Sequence, residues 1–252
     1  MQPNAQEAQG DLASQQVNEQ VLALRAQAEG RGPGAIVRLA LETWREEVAI
    51  AFSGAEDVLL IELASQTGLP FRVFALDTGR LHPQTYRFFA EVEAKYKIHI
   101  EYCFPDASQV ESLVRRKGLF SFLEDGHTEC CQIRKVSPLR RHLKQYKAWI
   151  TGQRRDQSVT RKALEVFELD GSNSNESGTP LVKVNPLAGE TADYVWASIE
   201  GFQVPFNPLH LTGMRSIGCE PCTRPILPHQ HEREGRWWWE RENDKECGLH
   251  KA

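Results

Sequence analysis

Val48-Ala49-Ile50-Ala51-Phe52-Ser53-Gly54-Ala55-Glu56-Asp57 is the stretch that decides the fold. Five apolar residues in a row, without alternation, have strand length and suit a strand covered on both faces. Ser53-Gly54 ends the run, and Ala55 to Gln66 then carries a helical apolar pattern. Moving outward, Phe71 to Leu76 predicts a second strand, followed by the loop Asp77-Thr78-Gly79 and a helix from about Pro83 to Tyr96. Ile98 to Tyr102 predicts a third strand, with a helix after Pro105, and Ala148 to Thr151 a fourth. Upstream, Ile36 to Trp44 has helical spacing. Strands alternating with helices imply an α/β class, a mostly parallel sheet flanked by helices. We read residues 1–33 as a flexible tail with a helix around Val17 to Ala28, broken by Gly30, Gly32, Pro33 and Gly34. Residues 34–235 form the α/β body, and 236–252 a mobile C-terminal segment. The polar run from Asp170 to Gly178 is expected to be a surface loop.

Composition narrows the function. The chain has 252 residues, a net charge of -4 and 40% hydrophobic residues. That is enough apolar material for one core, and the charge does not favour nucleic acid as a partner. No apolar run reaches the ~18 residues of a membrane span, and the Gln/Ala-rich start lacks a signal-peptide core. The expectation is a cytoplasmic protein without a membrane or nucleic-acid partner.

In parallel sheets of this type ligands bind beyond the carboxyl ends of the strands. Three loops fall there: Ser53-Gly54, Asp77 to Arg80, and Gly152 to Asp156. Ser53, Gly54 and Asp57 sit where a strand turns into a helix, whose free N–H groups and dipole favour an anion. This segment resembles the modified P-loop of the adenine-nucleotide alpha hydrolase-like superfamily. It departs from that pattern at Ala55 and in having no Ser after Asp57, which argues against ATP pyrophosphate chemistry.

The six cysteines cluster as Cys130-Cys131, Cys219-Glu220-Pro221-Cys222, Cys247 near the C-terminus and a lone Cys103. Four thiolates from two segments can bind one metal tetrahedrally or hold a 4Fe–4S cluster. Adjacent cysteines on a helix point apart, so each reaches a different iron more readily than both reach one zinc. Cys103, at a strand end, reads as a buried apolar residue.

Glu129-Cys130-Cys131 with Lys135 downstream, Ile217-Gly218-Cys219-Glu220-Pro221-Cys222-Thr223-Arg224-Pro225, and the terminal Lys245-Glu246-Cys247-Gly248-Leu249-His250 resemble the motifs of the assimilatory adenylyl-sulfate reductases. The resemblance runs from about Val48 to the end. It implies one 4Fe–4S cluster on Cys130, Cys131, Cys219 and Cys222, and Cys247 as nucleophile. It implies adenylyl sulfate as substrate, thioredoxin (or glutaredoxin) as electron donor, and a homo-oligomer. Lys245 and His250 are placed to favour the Cys247 thiolate. Lys135 is expected to reach both cluster sulfurs and the substrate anion. Arg233 and Arg236, with His231 beside them, match an anion clamp, since arginine meets phosphate or sulfate with two hydrogen bonds. Arg154 is the expected anion ligand of its loop, Thr78 is placed to meet the nucleotide, and His127 to line the site. At least two of Trp237, Trp238 and Trp239 are expected to be packing.

Three rivals stay open. Reduction of the 3′-phosphorylated nucleotide is the nearest, although family members devoted to it generally lack the two cysteine pairs. ATP-dependent adenylation would call for a fuller Ser-Gly-Gly-x-Asp-Ser loop and no Cys247. A non-enzymatic metal protein would have no use for the nucleotide loops.

Overall fold

The computed structural model describes residues 5–240, without the side chains of residues 5–11 and Val159. Cys247 and His250, with residues 241–252 of the C-terminal segment, lie outside the described residues, whereas Arg236 and Trp237 at the start of that segment are buried rather than mobile as expected. The elements run α1 Ala5–Ala28, α2 Pro33–Trp44, β1 Val48–Ala51, α3 Ala55–Ser65, β2 Arg72–Leu76, α4 Pro83–Tyr96 and β3 Ile100–Cys103. They continue with α5 Ala107–Lys117, α6 Thr128–Cys131, a π-helical turn Gln132–Val136, α7 Ser137–Leu143 and β4 Ala148–Ile150. β5 Phe167–Ser174, β6 Pro180–Val184 and α8 Ala192–Gly201 complete the framework.

The six strands form one sheet in the order β3-β2-β1-β4-β6-β5. All pairs are parallel except β5 against β6. Residues along β1 alternate between two cores. Val48 and Ile50 face a large apolar layer with α2, α3 and α8, while Ala49 joins Phe74, Leu139, Leu143 and Trp149 on the α7 side. Burial on both faces is why these strands read as unbroken apolar runs. Cys103 is buried in the second layer.

Local chemistry sets the helix ends. Pro83 opens α4 at its first turn, where its missing N–H costs nothing. Asp106 caps α5 by accepting from the Gln109 N–H at 3.0 Å. Pro138, early in α7, has no N–H for the Arg134 carbonyl four residues back, and its ring crowds that carbonyl. The widened π turn just before it is a common response.

Two expectations need correction. Residues 1–33 are not a free tail throughout: Val21, Leu24 and Ala28 are buried, and Arg25 Nε donates to the Phe167 carbonyl at 2.6 Å. Low overall polarity contrast hid the apolar stripe at positions 21, 24 and 28. The run from Asp170 to Gly178 is not a surface loop over its whole length, because β5 extends to Ser174 and pairs with β6. Asp170 is buried there and accepts from Trp149 Nε1 and Asn173 Nδ2, each at 2.8 Å. Only the tip is a turn, with Asn175 Oδ1 accepting from the Ser177 and Thr179 N–H groups.

Candidate active site

Strand order reverses direction between β1 and β4, and a cleft of about 220 Å³ opens at their carboxyl ends. Ser53, Gly54, Asp57, Thr78, Lys135, Arg233 and Arg236 all line it. The first loop is held by Asp57. Its Oδ2 accepts from the Ser53 N–H at 2.8 Å, the Ser53 hydroxyl at 2.8 Å and the Gly54 N–H at 3.1 Å. Its Oδ1 accepts from the Gly152 N–H at 3.0 Å, tying the β1 loop to the β4 loop. Burial pushes the Asp57 carboxyl up to about 6, against the pull of its hydrogen bonds from Ser53 and Gly54. Asp57 is therefore a loop organiser, with both oxygens engaged by the chain. A Cβ on Gly54 would meet no protein atom within 4 Å, so the packing of the protein does not itself require glycine there. Gly152 differs: a Cβ there would lie 2.5 Å from Asp57 Oδ1.

Arg154 departs most from expectation. It is 1% exposed and is enclosed by three carboxylates. Its guanidinium bonds Glu56 at 3.1 Å, Glu232 at 2.9 Å and, in a short contact, Asp156. A guanidinium spent on three carboxylates has no charge to offer an anion, so the loop's arginine is a structural clasp. The motif predicted the right loop but could not reveal Glu56 and Glu232, which are distant in sequence. The cations that do reach the cleft include Arg161 and Arg215, which the sequence reading missed. Nothing in their local sequence distinguishes them from surface arginines.

Arg236 is 6% exposed. It donates to the Ile217 carbonyl at 3.2 Å and lies over the Trp237 ring at 4.6 Å. Arg233 borders the same cleft, whereas His231 is exposed and does not. His210, also missed, lines the cleft, and neither of its ring nitrogens has a side-chain hydrogen-bond partner. Burial lowers its pKa, so the ring is neutral and can both donate and accept. Gln153 Oε1 is a second unpartnered buried acceptor there.

Behind this cleft lies a small chamber of about 10 Å³ lined by Cys130, Cys131, Cys219 and Cys222. The pairs come from α6 and from a 3-10 turn, Glu220–Cys222, far along the chain. The turn is registered by a bridge between Leu81 and Cys219 and by the Glu220 N–H donating to the Arg80 carbonyl at 2.8 Å. Thr78 joins the two spaces: it lines the cleft, and its hydroxyl is 3.2 Å from Cys219 Sγ. Lys135 and Cys219 border both spaces. His127 belongs to the chamber and not to the cleft. It stacks on Trp237 with ring centroids 4.2 Å apart. Trp237 and Trp239 pack around the chamber, while Trp238 sits under Arg224 at 5.3 Å.

The five described cysteines are free thiols. Among the described residues no three potential ligands already stand at metal-binding spacing. The donor chemistry nevertheless fits a thiolate-held cluster. Four thiols converge on one space, walled by Arg80, Arg134 and Lys135, whose charges oppose that of a tetrathiolate centre. Arg80 Nη1 and Arg134 Nε, on residues lining the chamber, are buried donors without partners, and cluster sulfurs accept hydrogen bonds. Burial works to raise the Cys219 thiol, but Lys135, the Thr78 hydroxyl, Arg236 and Arg80 outweigh it and lower its pKa. Burial, aided by Cys219, pushes Cys222 up to about 12. Burial likewise raises Cys103, to about 12, as befits an inert thiol.

Residues 47–225 match the family model of the phosphoadenosine phosphosulfate reductase domain. The chain is 58% identical over 233 residues to the probable 5′-adenylylsulfate reductase 1, chloroplastic, of Oryza sativa subsp. japonica, covering 91% of this chain and 49% of that protein. It thus spans about half the length of the plant relatives it matches. It is 52% identical over 229 residues to adenosine 5′-phosphosulfate reductase of Pseudomonas aeruginosa, covering 90% of this chain and 85% of that one. Among solved structures, phosphoadenylyl-sulfate reductase from Candida auris in a phosphate complex superposes with a TM-score of 0.68 at 27% identity, over 82% of this chain and 97% of that one. Yeast FAD synthetase, at 14% identity and a TM-score of 0.51 over 91% of this chain and 71% of that one, shares the fold alone. With a match over most of its body and relatives above half identity, this chain belongs to the phosphoadenosine phosphosulfate reductase domain family.

Proposed function

We propose that the chain reduces adenylyl sulfate to sulfite and AMP, with Cys247 as nucleophile. The observation that carries this reading is the shared wall: Lys135 and Cys219 border both the nucleotide-sized cleft and the four-cysteine chamber. The names of the relatives at 52% and 58% identity point to the same substrate.

The substrate is a mixed anhydride of AMP and sulfate. The Cys247 thiolate attacks its sulfur, the S–O bond to AMP breaks, and AMP leaves with the electron pair. Cys247 is left S-sulfonated. A dithiol protein of the thioredoxin or glutaredoxin type then attacks Cys247 Sγ and expels sulfite, and its second thiol resolves the mixed disulfide. The two electrons come from that donor. Lys135, Arg233 and Arg236 hold the anhydride end and offset the charge that builds on the AMP oxygen. Lys135, which borders the chamber as well as the cleft, and Arg236, whose charge acts on Cys219, direct that end towards Cys219. Neutral His210 and Gln153 suit the uncharged parts of a nucleoside. Cys130, Cys131, Cys219 and Cys222 would hold a 4Fe–4S cluster, which would supply a fixed charge centre and tie α6 to the Cys219 turn. Free thiols and a dithiol donor fit a reducing, cytoplasm-like compartment. A homo-oligomer remains part of the proposal on family resemblance alone.

The test is mass spectrometry of the intact protein mixed with adenylyl sulfate in the absence of reductant. A sulfonate adduct on the peptide containing Cys247, absent from Cys247→Ser, is the expected result. An unmodified peptide would remove both the nucleophile and the substrate from the reading. Iron and sulfide analysis of the purified protein, with a thiolate-to-iron absorbance near ~400 nm, tests the cluster. A colourless protein with stoichiometric zinc would overturn it.

A further inference from the structure

Trp237 stands at a junction that the proposed chemistry does not yet use. One ring is stacked by His127 at 4.2 Å with an interplanar angle of 22°. The same ring meets two cleft cations, Arg236 with its guanidinium carbon at 4.6 Å and Lys135 with Nζ at 5.7 Å. Its backbone N–H donates to the Cys222 carbonyl at 3.2 Å. Its φ of 41° lies in the left-handed region, uncommon for a bulky residue and held here by this packing. Three residues on, Glu240 turns back. Its N–H donates to the Trp237 carbonyl at 2.9 Å, and its carboxylate grips His127 twice. Oε1 accepts from the His127 backbone N–H at 2.8 Å, and Oε2 lies 2.5 Å from Nδ1. The pair is nearly dry, with side chains 4% and 12% exposed. A carboxylate at Nδ1 also fixes that nitrogen as the protonated one. Gly126, at φ 79°, lets the chain turn beneath the clasp, where a Cβ would sit 3.5 Å from Glu240 Oε1.

His127 directly precedes α6, the helix that carries Cys130 and Cys131. Glu240 is the last described residue before the segment carrying Cys247. Seven residues further on, an extended chain reaches at most ~24 Å. Where Glu240 is fixed therefore limits where the nucleophile can go.

We propose that Glu240 is a positioning residue: its two hydrogen bonds to His127 fix the origin of the C-terminal segment against the cysteine helix, and the reaction of Cys247 depends on that anchor. The inference rests on the reading of Cys247 as nucleophile. The Trp237 stack makes the clasp sensitive to the chamber, because Cys222 and His127 hold Trp237 from two sides. Loosening the chamber releases the tail's origin, and the cations that bind the anhydride share the same ring.

The experiment compares Glu240→Ala, Glu240→Gln and His127→Ala with the parent protein, each purified with its metal content measured. Three quantities are read: the single-turnover rate of Cys247 sulfonation at saturating adenylyl sulfate, the dissociation constant for AMP, and iron per chain. Glu240→Ala is expected to slow sulfonation at least tenfold, with AMP affinity within twofold and iron unchanged. Glu240→Gln keeps an acceptor for the His127 N–H and recovers part of the rate. His127→Ala slows the step to a similar degree, and the double variant is no slower than either single one. An unaltered sulfonation rate overturns the proposal, as does a loss that tracks AMP affinity or iron content. Limited trypsin digestion, cutting after Arg241 and Lys245, reads the clasp without any chemistry. Cleavage should be at least fivefold faster in Glu240→Ala, and equal rates would again overturn it. If the parent protein forms no adduct, the nucleophile assignment fails, while the digestion still decides whether Glu240 anchors the segment.

Discussion

Two glycines show how far a single residue governs this site. A Cβ on Gly218 would collide with the Arg236 guanidinium, the far end of a flexible side chain. Gly218→Ala should therefore fold with little loss of stability, yet displace Arg236 and weaken nucleotide binding by on the order of 1–3 kcal/mol, the worth of a charge-assisted contact. Calorimetric titration with AMP beside a urea melt separates the two effects, and a stability loss larger than the binding loss would contradict the assignment. Gly152→Ala has no such escape, because the new methyl meets Asp57 and the Cβ of Glu56 at 2.5 Å each. Asp57 itself carries a pH signature. An aspartate in an unfolded chain titrates near 3.9, and burial raises this one to about 6. The folded state thus holds the proton more tightly. Its contribution to stability is complete below about pH 4 and is lost as pH rises through about 6, a change of ~3 kcal/mol for two pKa units. Urea melts from pH 4 to 7 should show that component in the parent protein and not in Asp57→Asn. Parallel pH profiles would show that folding leaves the Asp57 pKa unshifted.

At the scale of elements, the parts legible in the sequence were those whose pattern is local. Strands β1 to β4 announced themselves as short apolar runs because both faces are covered, and α2 to α5 through their spacing and punctuation. The hairpin β5–β6 did not, since its polarity is resolved only in three dimensions. Asp170 looks like a turn residue until Trp149, from β4, supplies its partner. Asp170→Ala should leave a buried indole N–H without an acceptor and cost on the order of 1–3 kcal/mol. A lower urea midpoint at an unchanged m-value would bear this out, and an unshifted midpoint would show that solvent reaches the indole. The site divides the same way. Cys130, Cys131, Cys219 and Cys222 were readable as two pairs, since ligand spacing is a local property. Arg154 was misjudged because its partners Glu56 and Glu232 come from elements far along the chain, and His210 and Arg215 carried no signal.

Across the whole molecule, the cleft is graded in charge, and the gradient bears on which nucleotide it accepts. Lys135 and Arg236 stand beside the chamber, whereas Glu56 and Glu232 also border the cleft, in the group enclosing Arg154. Three carboxylates around one guanidinium leave that group net acidic. Burial raises the pKa of Glu232, with Arg154 pulling the other way, and a nearby anion would raise it further. A nucleotide bound with its anhydride towards Lys135 directs its other end towards Glu56 and Glu232, where Arg161, joined to Glu56 through Gln157, offsets part of their charge. A second phosphate on the ribose would add two negative charges to a space already bordered by carboxylates, and at short range in a partly desolvated cleft like charges repel by more than in water. On the proposed function, repulsion alone would disfavour the 3′-phosphorylated nucleotide, without a dedicated contact. Glu232→Gln keeps the shape and a hydrogen-bond acceptor for Arg154 while removing one charge. It should raise kcat/KM for the 3′-phosphorylated nucleotide relative to adenylyl sulfate by at least tenfold, about 1.4 kcal/mol of discrimination. The gain should appear mainly in KM, since the chemistry at Cys247 is unchanged. A ratio equal to that of the parent protein would place the ribose away from Glu232 and leave the discrimination to sterics.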